Sequence, residues 1–260
     1  MARNGHGSKT IKSVGNAFRI LEALEANEPM GVTELSDDVG LSKGSIHHYL
    51  ATLLEHDFVE RCNGKYQLGL RPLTYGGEVR EREKVFQIGK EGVDRLAKTT
   101  DETARLVVER GGYGVTLYQS THHDRSGIRT HLGTQEDLHS TAAGKAMLAA
   151  MDDERIDDAL EWGALPRHTD NTIVDESSLR AEIDDIRSRG IAFDDEEQFE
   201  GVRCVATALV TEMDELLGAI SVSGPVDRID DETFSEDIPQ EIRNVAGVIE
   251  VNTTYLDWME

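Results

Sequence analysis
The chain has 260 residues and a net charge of −23, from 50 acidic against 27 basic side chains. That length suffices for two domains with a sizeable core in at least one, and no run of about 18 apolar residues exists to make a helical membrane span. Cys62 and Cys204, its two cysteines, are too few for a disulfide framework or for a zinc site of their own.

Residues 1–13 are polar and basic and lack the apolar core of a secretion signal, so a cytoplasmic protein with free thiols is expected. Residues 14–26 carry Phe18, Leu21 and Leu24 at helical spacing and read as a first helix, which Asn27-Glu28-Pro29 ends because proline biases its predecessor away from helix. Residues 32–50 read as two short helices joined by a tight turn. Leu35 and Val39 stand four apart on one; Ile46, Tyr49, Leu50 and Leu53 form the apolar stripe of the next, which runs from Ser42 to about His56. Gly40 sits where the first helix must stop, and Ser42 can cap the second. The spacing fits a helix-turn-helix whose second helix enters the DNA major groove; a plain helical hairpin with no nucleic acid near it gives the same pattern.

Asp57 is placed as a left-handed residue after that helix. Residues 58–68 alternate around Asn63-Gly64, the strongest local hairpin signal, predicting a type I′ turn. Three helices followed by a hairpin make a winged helix-turn-helix, and Arg61 and Lys65 of the wing can lie along phosphates. Residues 69–77 read as a connector. Residues 78–97 are charged and helical in period, with Val85, Ile88, Val93 and Leu96 apolar, which predicts a linker helix over 77–98.

Residues 103–133 read as three strands, 103–110, 114–121 and 127–133, with Gly111-Gly112 as the first turn. A small-residue helix follows over 141–151, then amphipathic helices over 152–162 and 177–189, the last ended by Gly190. A strand begins at 191–194, a β-hairpin joins 203–210 to 216–223, and a helix over 230–256 closes the chain. This mixed order around an antiparallel sheet predicts an α+β fold rather than a doubly wound one. The expected domains are 1–76, winged helix-turn-helix; 77–98, linker helix; and 99–260, a sensor-like domain.

Charge divides along the same line. Residues 1–90 hold 12 basic and 12 acidic side chains; residues 91–260 hold 15 and 38. Lysine is scarce, 8 against 19 arginines, and the acids are spread, which resembles proteins of a salt-rich (halophilic) cytoplasm whose hydrated acidic surface keeps them soluble. An acidic chain repels DNA, but a neutral first segment with Arg3, Lys9, Lys12, Lys43, Arg61 and Lys65 near the proposed face need not.

Two further stretches make the resemblance specific. Residues 133–149 include Ser140-Thr141-Ala142-Ala143-Gly144-Lys145-Ala146; residues 194–206 include Asp194-Asp195-Glu196-Glu197-Gln198-Phe199-Glu200-Gly201-Val202-Arg203-Cys204, continuing to Gly218-Ala219-Ile220-Ser221-Val222-Ser223-Gly224-Pro225. With the helix-turn-helix they resemble the IclR family of transcriptional regulators over about residues 11–256. The resemblance implies a winged helix-turn-helix joined by a linker helix to a GAF-like effector-binding domain, without enzymatic activity or cofactor. It implies a homodimer or homotetramer that binds double-stranded operator DNA of a catabolic or metabolic operon and responds to a small-molecule effector, often an organic acid. The alternative is an effector-independent DNA-binding or architectural protein.

At the DNA face, Ser42, Lys43, Ser45, His47 and His48 are the outward candidates of the recognition helix; hydroxyls suit phosphate or either base, and Lys43 can approach guanine or phosphate. The family usually carries arginine where His48 stands, so the fixed guanidinium fork is lost here. At the effector site, a helix starting near Thr141 offers backbone N–H groups at Ala142 and Ala143, and small side chains there allow an anion to approach. By period two, Leu217, Ala219, Ser221 and Ser223 share a strand face that Cys204 can join. The match to the family's effector sites points to Ala142, Ala143, Asp194, Cys204, Ser221 and Ser223. Asp194 would repel a carboxylate but accept from a hydroxyl or amine. Blander roles stay open: Cys204 as a buried small hydrophobe, the serines satisfying backbone groups, and 194–200 as a solvated acidic loop. No histidine near Cys204 in sequence suggests a nucleophile, and the adjacent His122 and His123 before Asp124 would point to opposite sides of a strand, so no metal is expected.

Overall fold
The protein is represented by a computed structural model that describes residues 10–27, 29–121, 130–160 and 165–257. Arg3, Lys9, Glu28, His122, His123, Asp124 and Trp162 therefore lie outside the described residues. The chain divides into two compact units, Met1–Val79 and Arg80–Glu260.

The first unit is built from α1 (Lys12–Asn27), α2 (Val32–Val39), α3 (Lys43–Glu55), β1 (Val59–Cys62) and β2 (Lys65–Leu68), followed by α4 (Arg71–Glu81). Local chemistry sets each junction. Gly40, at φ 70°, ends α2 by donating its N–H to Ser36 O, and Ser42 Oγ caps α3 by accepting the Ser45 N–H at 3.2 Å. Asp57 takes φ 61°, the left-handed conformation expected of it. Asn63 and Gly64, at φ 51° and 82°, make the turn that twists β1 onto β2 in antiparallel register. Ile20, Leu24, Leu35, Val39, Ile46, Leu50, Val59 and Tyr66 fill the core. The helix expected over 14–26 is α1; Phe18 faces solvent on it, 56 % exposed, while Ile20 and Leu24 turn inward.

The second unit comprises α5 (Lys84–Thr100), β3 (Thr103–Arg110), β4 (Tyr113–Thr121), β5 (Gln135–Asp137), α6 (Ala142–Ala149), α7 (Asp153–Ala159), α8 (Glu176–Arg189), β6 (Ala192–Asp195), β7 (Val202–Val210), β8 (Leu216–Pro225) and α9 (Ile238–Asp257). Its sheet runs β5-β4-β3-β8-β7-β6, every neighbouring pair antiparallel. Strand alternation splits the core into two layers. Leu106, Val108, Val205, Ile220 and Val222 pack with α5 and α9; Val107, Cys204, Ala206 and Ala219 pack with α6 and α8. Gly144 lets α6 come close to the preceding loop, since a Cβ there would stand 2.3 Å from Leu138 O.

Four expectations on elements are corrected. The helix over 77–98 is two helices, α4 and α5, and most of the connector over 69–77 is already α4. Pro72 fits the first turn of α4, where a missing N–H is harmless, and Glu83 leaves helical geometry (ψ 112°) with its carboxylate on Arg110 Nη2 at 2.8 Å. The third strand, placed over 127–133, is β5 instead; 127–129 lie outside the described residues, and Gly133 turns at φ 87°. The closing helix is preceded by a π-helical turn, Thr233–Asp237, with Asp230 Oδ1 accepting the Thr233 N–H at 2.9 Å. Leu217 leaves the face of Ser221 and Ser223. Leu209 pairs with Gly218 and Val210 with Leu216, so Leu217 is the extra residue of a β-bulge and packs with the α5 and α9 layer.

Candidate functional site
The first unit presents the amino-terminal half of α3 to solvent. Ile46, Leu50 and Leu53 anchor the helix in the core, and this leaves Ser42, Lys43, His47 and His48 exposed together. Ser45 is half-buried, its hydroxyl 3.0 Å from that of Ser42. On the hairpin, Arg61 is exposed with its guanidinium 5.6 Å from the centre of the Tyr66 ring. Lys65 donates to Glu34 Oε1 at 3.0 Å, and Glu34 also accepts the Gly31 N–H at 2.6 Å. An ion pair this exposed is weak and easily exchanged for a phosphate.

In the second unit the sheet carries two polar rows on its α6 side. Register places Asp194, Cys204, Ser223, Thr103 and Thr121 side by side across β6, β7, β8, β3 and β4. The next row on that face is Ala192, Ala206, Ser221, Arg105 and Gln119. A cavity of about 20 Å³ opens beside these rows, room for a water or two. Its polar walls are Arg105, Glu136, Thr141, Asp194, Gln198, Cys204, Ser221 and Ser223; Val107, Ala143, Phe199 and Val202 complete it. Thr141 Oγ1 caps α6 by accepting the Gly144 N–H at 3.0 Å, which leaves the N–H groups of Ala142 and Ala143 at the helix end. Ala142 is buried and does not itself line the cavity.

Burial dominates the electrostatics. It pushes the Asp194 carboxyl up to about 7, against hydrogen bonds to its Oδ1 from the Glu197 N–H at 2.7 Å and the Gln198 N–H at 3.3 Å. It also pushes the Cys204 thiol up to about 12, with the Asp194 charge adding to it, and raises Glu136. A thiol so placed is no thiolate nucleophile. The Ser223 hydroxyl is buried and has no hydrogen-bond partner among the described residues. Gln198 is held from the other side by Ser140 Oγ, at 2.5 Å.

The structure brings Ala143, Asp194, Cys204, Ser221 and Ser223 to one cavity and puts Ala142 at the end of the helix beside it. It adds residues that reading the sequence missed. Arg105 stands at an inward position of β3, and a charged residue in an otherwise buried strand was the signal available. Lys145 is fully buried in α6 and hydrogen-bonds Glu197 Oε1, with Glu182 Oε1 3.9 Å away; a lone lysine in Ala-Ala-Gly-Lys-Ala-Met-Leu-Ala needs such a partner. Among the described residues no cluster of three His, Cys, Asp or Glu side chains is arranged to hold a metal, and no helix is long and apolar enough to cross a membrane.

Residues 13–62 match the family model of the IclR helix-turn-helix domain, and residues 78–251 that of the bacterial transcriptional regulator IclR C-terminal region. A probable HTH-type transcriptional regulator ArcR of Halobacterium salinarum is 30% identical over 96% of this chain and 97% of its own. The crystal structure of Thermotoga maritima IclR superposes with a TM-score of 0.77 at 27% identity, covering 93% of this chain and 98% of that one. An IclR homolog of Microbacterium hydrocarbonoxydans, complexed with 4-hydroxybenzoate, shares the fold with a TM-score of 0.77 at 19% identity, over 92% and 98% of the two chains.

Proposed function
The chain belongs to the IclR family of transcriptional regulators, and from that premise we propose that it is a ligand-responsive regulator of a catabolic or metabolic operon whose effector is a small organic acid. One observation carries this reading. The buried, unpartnered Ser223 hydroxyl lines a cavity that also holds a cation and the end of α6, so a ligand that bonds there removes an unfavourable orphan. The N–H groups of Ala142 and Ala143 favour a carboxylate. Asp194, Cys204 and Ser221 supply further polar contacts, and the fold neighbour seen with 4-hydroxybenzoate holds an acid of the same broad class. We assign the cavity no catalysis, since its thiol is held protonated.

For the output, we propose that α3 enters the major groove with Ser42, Lys43, Ser45, His47 and His48, while Arg61 and Lys65 meet phosphates. Ile11, Val14 and Phe18 form an exposed apolar row at helical spacing on and just before α1, and Leu70 and Leu73 are exposed beside Tyr75. A second copy of the chain is the occupant we propose for these side chains, in a homodimer or a homotetramer. Gel-shift and sedimentation measurements separate the two roles. Lys43→Ala with His48→Ala is expected to cost at least about tenfold in operator affinity while the dimer persists; Phe18→Asp is expected to lose the dimer. Unchanged operator binding by the first variant refutes the assignment of α3.

The second reading, an effector-independent DNA-binding or architectural protein, is favoured by the cavity's small volume. Titrating small organic acids into the full chain with and without operator decides between them. Linkage requires the acid's affinity to change with operator present if it is an effector. No binding, or equal affinities, supports the second reading.

A further inference from the structure
Arg105 is buried, yet its hydrogen bonds go to neutral groups: Nε to Gln119 Oε1 at 3.2 Å and Nη2 to Thr130 Oγ1 at 2.7 Å. Among the described residues it forms no ion pair, whereas Arg110, Arg180 and Arg203, all less buried, each hold a carboxylate. A buried guanidinium with no salt bridge is costly, and the Glu136 carboxyl of the same cavity feels its charge without pairing with it. The fold keeps it there because β3 alternation sends Arg105 to the α6 side, in one row with Ser221 and one row from Ser223. The cavity thus holds two features that favour negative charge, from separate elements: the N-terminus of α6 and the Arg105 fork. The unpartnered hydroxyl of Ser223 faces the same space.

A monocarboxylate satisfies one of these features. We infer that Arg105 is a specificity-determining residue that makes the cavity select a small dicarboxylate, one carboxylate meeting the α6 end with Ser223 and the other the planar Arg105 fork. Guanidinium suits this role because it offers two parallel N–H donors to a carboxylate. The cavity's own carboxyls do not defeat it. Burial raises Glu136 and pushes Asp194 up to about 7, so Asp194 can hold a proton and donate to the ligand. Seating a diacid parts walls that now enclose about 20 Å³, and Phe199, 39 % exposed, is the lining side chain most open to solvent.

The inference rests on the effector-site reading above, and calorimetry on the full chain separates the two. The probes are succinate and L-malate against acetate and L-lactate, with wild type, Arg105→Gln and Arg105→Lys. At least one diacid is expected to bind wild type about tenfold or more tighter than either monoacid. Arg105→Gln is expected to lose that preference, its affinity for the diacid falling to the level of the monoacids. Arg105→Lys, which keeps the charge but not the fork, should retain only part of the preference, and it serves as the measurement if the glutamine variant does not fold. Equal binding of monoacids and diacids by wild type, or an unchanged preference in both variants, overturns the role of Arg105 and leaves the organic-acid reading standing. Failure of all four acids to bind wild type at millimolar concentration removes both.

Discussion

Replacing Lys145 with methionine is expected to destabilise the second unit by about 3–5 kcal/mol at neutral pH, the cost of stranding one partner of a buried ion pair. The ammonium is fully buried in α6 and hydrogen-bonds Glu197 Oε1, while Glu182 nearby is shared with Arg189 Nη2 at 2.7 Å. Among the described residues Glu197 has no other ion pair, and its Oε2 is buried without a hydrogen bond. Burial already outweighs the pull of Lys145 and holds the Glu197 carboxyl above the usual range. Without the lysine it rises further. The loss should therefore shrink as pH falls, because a neutral Glu197 no longer needs its cation. Thermal melts should show a drop of roughly 10 °C near neutrality. Lys145→Met with Glu197→Leu should recover most of it, since an apolar pair of similar volume is often as stable as the ionic one. A single variant within about 1 kcal/mol of wild type would show that the pair holds nothing together. The consequence reaches the cavity, because the Glu197 N–H is one of the two that hold Asp194.

What the sequence revealed and what it hid follow the range of the interactions. The first unit was legible because its junctions are local: Gly40, Ser42, Asp57 and Asn63-Gly64 each impose a backbone geometry that neighbours cannot override. Helical spacing marked α1 but did not say which apolar row faces inward, and α1 carries one of each, with Phe18 outside and Ile20 and Leu24 inside. The break between α4 and α5 was invisible because helical period continues through it, and the tie that stabilises it joins Glu83 to Arg110 across a strand. In the second unit, alternation and motif together named Asp194, Cys204, Ser221 and Ser223. Neither could reach Arg105, which joins Ser221 only through the pairing of β3 with β8. Lys145 and Glu197 likewise stand 52 positions apart and meet only in the fold. Leu217 was misplaced by counting in twos through a bulge.

Asp194→Asn should do the opposite of most substitutions at a buried polar site and stabilise the protein, by on the order of 4 kcal/mol at pH 8 and above, since each unit of pKa shift is worth about 1.4 kcal/mol. The folded carboxyl titrates near 7 against an ordinary value of 3.8. Between those values the folded chain keeps a proton that the unfolded chain has lost, so wild-type stability falls as pH rises through that window and is level above it. Asparagine is neutral throughout, and its amide oxygen can still accept the N–H groups of Glu197 and Gln198 that Oδ1 accepts now. The gain should therefore vanish near pH 4 and be complete above the folded pKa, which urea titrations at the two extremes would measure. A variant less stable than wild type at pH 8 would mean that the Lys145 charge and the two N–H groups hold the ionised carboxylate more firmly than burial disfavours it. The same proton should govern the anion binding proposed for the cavity. Wild-type affinity for an organic acid should weaken as pH rises through about 7, where Asp194 becomes a negative wall of the cavity, and the asparagine variant should bind with a flat profile. A weakening that persists in the variant would transfer the effect to Glu136, the other carboxyl lining the cavity that burial raises.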